Sequence, residues 1–179
     1  MTREQLFTNN CRVENKQSVV EKVFDGDTIL IKKGDGVKIR LLGIDAFEHE
    51  QNIYGMKGKN FLTMLLLNKP VCVETDVQKN DIYGRTLGSV FAKTDSLSGK
   101  DARNRATTSQ NIFINEELLR SGYAILYDFP PNTKYLYRLK EAQIYGRENM
   151  LGIWEKQSFI LETPAQWRHK HPYKNHKKN

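Results

Sequence analysis

The stretch "VVEKVFDGDTILI", residues 19–31, does more than any other to limit what this chain can fold into. Two apolar β-type runs flank Asp-Gly, the strongest short-range signal for a tight β-hairpin. The next segment, "GVKIRLLGID" (36–45), extends the sheet. In it Val37, Ile39 and Leu41 alternate with Lys38, Arg40 and Leu42, the period of a strand. A helix is expected over about 54–68, where Phe61, Leu62, Leu65 and Leu66 recur at helical spacing and Pro70 ends the run. Strands are expected at 71–77 and 86–92, and the polar stretch 93–110 reads as a long loop. Asn115 is then expected to cap a short helix, "EELLRS", that Gly122 stops. A strand near 123–127 leads through "FPPN" to Thr133, the expected cap of a last helix reaching about Met150. Strands come first, with helices between and after them. That order predicts an α+β, mainly β class: a small barrel or curled sheet with helices packed on it.

The hairpin turn carries one acid more than it needs. Asp25 and Asp27 flank Gly26, and adjacent like charges repel unless a cation lies between them or they face apart. Asp45 closes the third strand, and sequential strands usually neighbour one another, so Asp27 and Asp45 can meet. Two carboxylates with a nearby backbone carbonyl make a hard-oxygen site suited to calcium. Arg40, Glu48 and Arg85, the last within "DIYGRT" (81–86), complete a set suited to phosphodiester hydrolysis. A cation and arginines oppose charge building on the phosphorus oxygens, and the carboxylate takes a proton from water. Taken singly each piece has a plainer reading: a hairpin turn, a solvent-facing strand arginine, a turn arginine, a polar helix start.

Composition excludes several classes. With 39% hydrophobic and 27% charged residues over 179 positions, the chain has the makeup of a globular domain with enough length for a core. No stretch approaches the roughly 20 apolar residues of a membrane-spanning helix, so no membrane partner is expected. The opening "MTREQLFTNNCRVENKQ" lacks the apolar core of a secretory signal. Cys11 and Cys72 have no CxxC spacing and make neither a zinc site nor a disulfide framework; one bridge or two thiols both fit. The formal charge of +7 lies mostly at the end, in Arg168, Lys170, Lys174, Lys177 and Lys178. Without those five, 23 basic side chains face 21 acidic ones. With Trp167 and Tyr173 interleaved, this segment suits nucleic-acid phosphates and stacking, or is a solvated end. The expected organisation is a polar leader 1–18, one domain 19–156 and a basic tail 157–179.

From Val19 to Trp154 the chain resembles the staphylococcal-nuclease-like (thermonuclease) family. "DGDT" (25–28), "IRLLGIDAFE" (39–48) and "DIYGR" (81–85) match its three signatures, the second of which usually reads R-L-x-G-I-D-x-P-E. "INEELLRSGYA" (114–124), "EAQ" (141–143) and "LGIW" (151–154) match its later helices and close. The resemblance implies a five-stranded OB-type barrel with about three packed helices, a fold that binds oligonucleotides. It also implies a monomeric, calcium-dependent nuclease cleaving DNA and RNA with little sequence preference. Position by position, Asp27, Asp45 and the backbone carbonyl of Ala46 would hold Ca2+. Arg40 and Arg85 would clamp the scissile phosphate, and Glu48 would be the general base. Tyr83 and Tyr127 would line the nucleotide pocket, Tyr127 across a one-residue gap.

Two departures stand out. Ala46 and Phe47 replace the family's usual Thr and Pro. A ligand acting through its backbone tolerates the first change, whereas the second removes a fixed φ of about −65° just before Glu48. The loop 93–110 is also long, and Lys93, Lys100, Arg103 and Arg105 in it either extend a nucleic-acid track or decorate a surface loop. The alternative function is a binding module of the same fold without catalysis, although such modules commonly lack part of the acid and arginine set present here. Compartment stays open. The leader points to the cytoplasm, while a site with so few protein ligands binds calcium weakly, at about 10⁻⁴ to 10⁻³ M, and so points outside it.

Overall fold

The computed structural model describes residues 18–32, 34–93, 111–155 and 162–172. The hairpin forms as its sequence requires: β1 (Ser18–Val23) and β2 (Thr28–Lys32) pair antiparallel, Val20 opposite Ile31 and Val23 opposite Ile29. A register shift between Val20 and Lys22 keeps Val20 and Val23 on the buried side although they are three residues apart. β3 (Val37–Leu41) pairs with β2, bringing Arg40 opposite Thr28.

The expected single strand over 36–45 is in fact two. It breaks after Leu41 and resumes as β4 (Ile44–Ala46), which leaves the barrel to pair with β8 (Ala124–Leu126). Gly43 makes the break: its φ is +76°, and a Cβ there would collide with Leu139. β5 (Pro70–Glu74) pairs with β1 and with β6 (Thr86–Lys93). β6 then runs parallel to β3, Arg40 beside Leu87, and closes five strands in the order β3-β2-β1-β5-β6 into a barrel. Closure needs Gly88, where a Cβ would come within 2.5 Å of Val73 and 3.1 Å of Ile39. β7 (Asn111–Phe113) adds to the far half of β6.

α1 (Ile53–Leu66) lies close to the expected helix and is capped by Asn52, whose Oδ1 accepts from the Tyr54 and Gly55 amides at 2.9 and 3.3 Å. Two other expected caps are not caps. α2 spans Ile114–Arg120 with Phe113 at its N-cap, so Asn115 lies inside the helix. Its fully buried amide instead accepts from Val90 N–H and donates to the carbonyls of Leu42 and Gly88, tying α2 to the strand break and to the closing strand. α3 (Leu136–Glu148) begins after Tyr135, with Thr133 one turn ahead supplying only a backbone carbonyl to Leu136. Gly122 does end α2 in the left-handed region, at φ +69°.

A 3-10 turn (Gly152–Trp154) follows, and α4 (Pro164–Lys170) is a fourth α-helix where a tail was expected. The barrel interior and the faces of α1, α2 and α3 share one core, including Val20, Ile29, Ile39, Leu41, Leu62, Phe91, Phe113 and Leu118. Cys72 sits half-buried on β5, while Cys11, Lys100, Arg103, Arg105, Lys174, Lys177 and Lys178 lie outside the described residues. Among the described residues no helix is long and apolar enough to cross a membrane.

Candidate active site

One cleft of about 700 Å³ opens beside the strand break, with Asp27, Arg40, Asp45, Ala46, Glu48, Tyr83, Arg85, Tyr127 and Arg168 all on its lining. Residues from the hairpin turn, β3, β4, the loop before β6, the end of β8 and the C-terminal segment thus converge there. The β2–β3 pairing and the turn back into β4 bring Asp27 and Asp45 together from 18 residues apart. Arg40 bridges them, its Nη2 lying 3.2 Å from Asp27 Oδ2 and 3.3 Å from Asp45 Oδ1.

Both aspartates are buried. Asp27 accepts from the Ala46 amide (2.9 Å) and the Thr28 hydroxyl (3.0 Å), which fixes its carboxylate toward β4. Asp25 lines the same cleft and accepts from the Asp27 amide at 2.9 Å, an Asx turn. Burial, with the Asp27 charge beside it, pushes the Asp25 carboxyl up to about 7. For Asp45, burial and the nearby Asp27 raise the carboxyl above the usual range, against the pull of Arg168 and Arg40.

Glu48 stands on the loop that joins β4 to α1. Where a proline would have set the backbone, Phe47 is buried to 3% exposure, so packing holds the loop instead of a fixed φ. The absence of a side chain at Gly55 lets the Phe47 and Glu48 carbonyls lie against α1. The Glu48 amide donates to Gln51 Oε1 at 3.3 Å, and the Gln51 amide returns to the Glu48 carbonyl at 3.1 Å. Arg85 reaches the cleft from the turn before β6. Asp81 holds it by accepting from Nε at 2.7 Å and from its amide at 2.9 Å, while Nη1 points to the Thr28 hydroxyl at 3.4 Å. Tyr83 and Tyr127 are 77% and 43% exposed at the cleft rim, with Arg85 over the Tyr83 ring at 5.5 Å. Exposed rings beside a charged cleft offer faces on which bases can stack.

Arg168 is in a different place from the one its sequence position suggested. It is not a free basic side chain on a tail: Nη2 donates to Asp45 at 2.8 Å (Oδ2) and 3.1 Å (Oδ1), and Nη1 donates to Glu48 Oε1 at 3.0 Å. Lys170, expected to meet phosphates, pairs with Glu162 at 2.7 Å. Asp81 and Phe129, which also line the cleft, were not singled out from the sequence. Asp81 had a signal, an Asp two residues ahead of Tyr83 and four ahead of Arg85, the spacing of an Asx-type turn.

Among the described residues no three acidic, histidine or cysteine side chains gather as a ready metal centre. The donor set nevertheless suits a hard cation. Two buried carboxylates and the Ala46 segment line one pocket, and hard oxygens are the donors a hard cation takes.

Known proteins resemble this chain over most of its length. Residues 38–156 match the model of the staphylococcal nuclease homologue family. The thermonuclease of Staphylococcus intermedius is 31% identical over 150 residues, covering 80% of this chain and 79% of that one. The thermonuclease of Staphylococcus hyicus is 32% identical over 141 residues (75% and 73%), and the micrococcal nuclease of Shigella flexneri 30% over 156 residues (83% and 78%). With its five-stranded barrel and the three signature segments on one cleft, the chain belongs to the staphylococcal nuclease homologue family.

Proposed function

We propose that the protein is a calcium-dependent nuclease that hydrolyses phosphodiester bonds of DNA and RNA with little sequence preference. One observation carries this reading: Asp27, Arg40, Asp45, Glu48 and Arg85, scattered over 59 residues of sequence, line a single cleft. Relatives named thermonuclease and micrococcal nuclease support it.

In this reading Arg40 and Arg85 receive the non-bridging oxygens of the scissile phosphate. Arg85 is already oriented for this by Asp81, so little side-chain freedom is lost when substrate arrives. Glu48 accepts a proton from the attacking water; the water oxygen bonds to phosphorus, the P–O bond to the leaving nucleoside breaks, and solvent protonates the departing oxygen. Asp27 and Asp45, with the Ala46 carbonyl, would hold Ca2+, which supplies positive charge to offset that building on the phosphate. Tyr83 and Tyr127 stack against the flanking bases.

The test is hydrolysis of single-stranded DNA and RNA with calcium against chelator, for wild type and Glu48→Gln. The substitution keeps shape and removes the proton acceptor, so the rate should fall about 10²- to 10⁴-fold, roughly 3 to 5 kcal/mol of barrier, while calcium binding survives. A Glu48→Gln protein that cleaves nearly as fast as wild type removes Glu48 as the base. Wild type that binds nucleic acid yet cleaves none under any divalent metal is instead a binding module.

A further inference from the structure

Arg168 lies 123 residues beyond Asp45 and 120 beyond Glu48, yet one guanidinium bonds both. The segment that delivers it is built to do so. Thr163 and Gln166 form a reciprocal capping box, and Pro164, at the first helical position, is buried. Gln51 Nε2 donates to the Glu162 carbonyl at 2.5 Å, so the loop that carries Glu48 also grips the segment that carries Arg168. Two independent attachments thus hold α4 over the cleft, one through backbone and one through charge.

The contact engages the groups the proposed reaction uses. Asp45, its side chain 2% exposed, has both oxygens committed to Arg168 Nη2, and the Glu48 oxygen that accepts from Nη1 is not free to take a proton from water. A cation ligated by Asp45 would need to approach those oxygens to about 2.3–2.6 Å, the space the guanidinium fills. Removing Arg168 with nothing in its place would leave buried Asp45 with only the longer Arg40 contact, 3.3 Å from one oxygen, in place of Arg168's 2.8 and 3.1 Å bonds, which is unfavourable. Departure of Arg168 and arrival of another cation are therefore linked.

We propose that α4 is an autoinhibitory plug: Arg168 occupies the Asp45–Glu48 pair, and must withdraw before a divalent cation and a scissile phosphate can be bound there. This rests on the reading of those acids as metal ligand and base. Linkage is reciprocal, so calcium should loosen α4 by the same factor by which α4 weakens calcium.

The experiment uses the full chain as wild type, Arg168→Ala and Arg168→Lys. Without metal, hydrogen exchange at the α4 amides should be slow in wild type, faster in Arg168→Ala and intermediate in Arg168→Lys, which keeps charge but loses the bidentate fork. Calorimetric titration should then show calcium binding about tenfold or more tighter in Arg168→Ala, the ratio expected if the docked state outnumbers the open one by that factor. Added calcium should speed α4 exchange in wild type. Unprotected α4 amides in metal-free wild type overturn the plug whatever calcium does. Equal calcium affinity in wild type and Arg168→Ala overturns the competition while leaving the metal reading intact. Reduced cleavage by Arg168→Ala at unchanged calcium affinity makes Arg168 a substrate contact and also overturns it. Calcium binding to neither protein sinks the metal reading instead, and the plug is then decided by the metal-free exchange alone.

Discussion

Of the arginines in the cleft, Arg85 and Arg168 come from segments 83 residues apart in sequence, and the difference between their partners is instructive. Arg85, in the turn before β6, is held by Asp81, an acid with no other part in the proposed chemistry. Arg168, on α4, is held by Asp45 and Glu48, the acids that chemistry depends on. An arginine with its own acid is preorganised and can stay in place through a reaction. Arg168, bonded to the proposed base as well as to Asp45, blocks that base and has to leave. Geometry alone does not separate the two, since both make short, partly buried ion pairs. The identity of the acid separates them.

The largest effect that could break this contrast is on rate. Arg85→Lys keeps a positive charge but loses the planar fork, and should lower kcat about 10²- to 10³-fold, the usual loss on removing a donor aimed at developing charge. Binding of a short oligonucleotide should weaken much less, because the interaction strengthens toward the transition state. Arg168→Lys should leave kcat undiminished at saturating calcium. Single-turnover kinetics on both proteins measure the pair together. Equal losses in the two would mean that both arginines serve the phosphate and the contrast is wrong.

A smaller effect sharpens the same contrast. Asp81→Asn keeps an acceptor for the Tyr83 and Arg85 amides but removes the charge that fixes the guanidinium. The turn should survive and Arg85 should become mobile, costing about tenfold in kcat/KM, or roughly 1.4 kcal/mol of transition-state stabilisation. Combining it with Arg85→Lys should add little further loss, since a positioning residue acts only through the group it positions. Additive losses in the double mutant would show that Asp81 has a separate role.

How far the sequence foretold this molecule depended on how local each cause was. The hairpin, α1 and the Gly122 stop follow from turn chemistry, helical spacing and a left-handed glycine, all readable within a few residues. The break at Gly43 was not readable, because its left-handed φ and the approach of Leu139, nearly a hundred residues on, exist only in the folded chain. Asn115 looked like a cap because its residue type favours caps; its partners on Val90, Leu42 and Gly88 exist only once the barrel has closed. For the site, the three signature segments carried their acids and arginines into one cleft as their order suggested. At the basic end, Arg168 and Lys170 meet acids of the protein itself, and charge composition cannot say whom a charge meets. Even there a local signal existed, Thr-Pro-Ala-Gln at 163–166, which has the spacing of a capping box with proline at the first helical position.

The smallest expected effect concerns acid stability and again turns on Asp81. Burial opposes its charge, but the hydrogen bonds from the Arg85 side chain and amide outweigh burial and hold its carboxyl below the value of 3.8 it would otherwise have. A carboxylate with a depressed folded pKa binds fewer protons in the folded state than in the unfolded state between those two values. Stability therefore rises with pH through that window. Asp81 contributes its full share above about pH 4 to 5, and the share disappears as pH falls through the lowered folded value. Denaturant titrations at pH 7 and near pH 3 should accordingly show wild type more stable than Asp81→Asn at pH 7, with the gap narrowing in acid. Comparing the two proteins removes the contribution of every other carboxylate they share. A gap that stays constant from pH 7 to pH 3 would mean that the Asp81–Arg85 pair orients the arginine without stabilising the fold, leaving its value wholly in the geometry of the cleft.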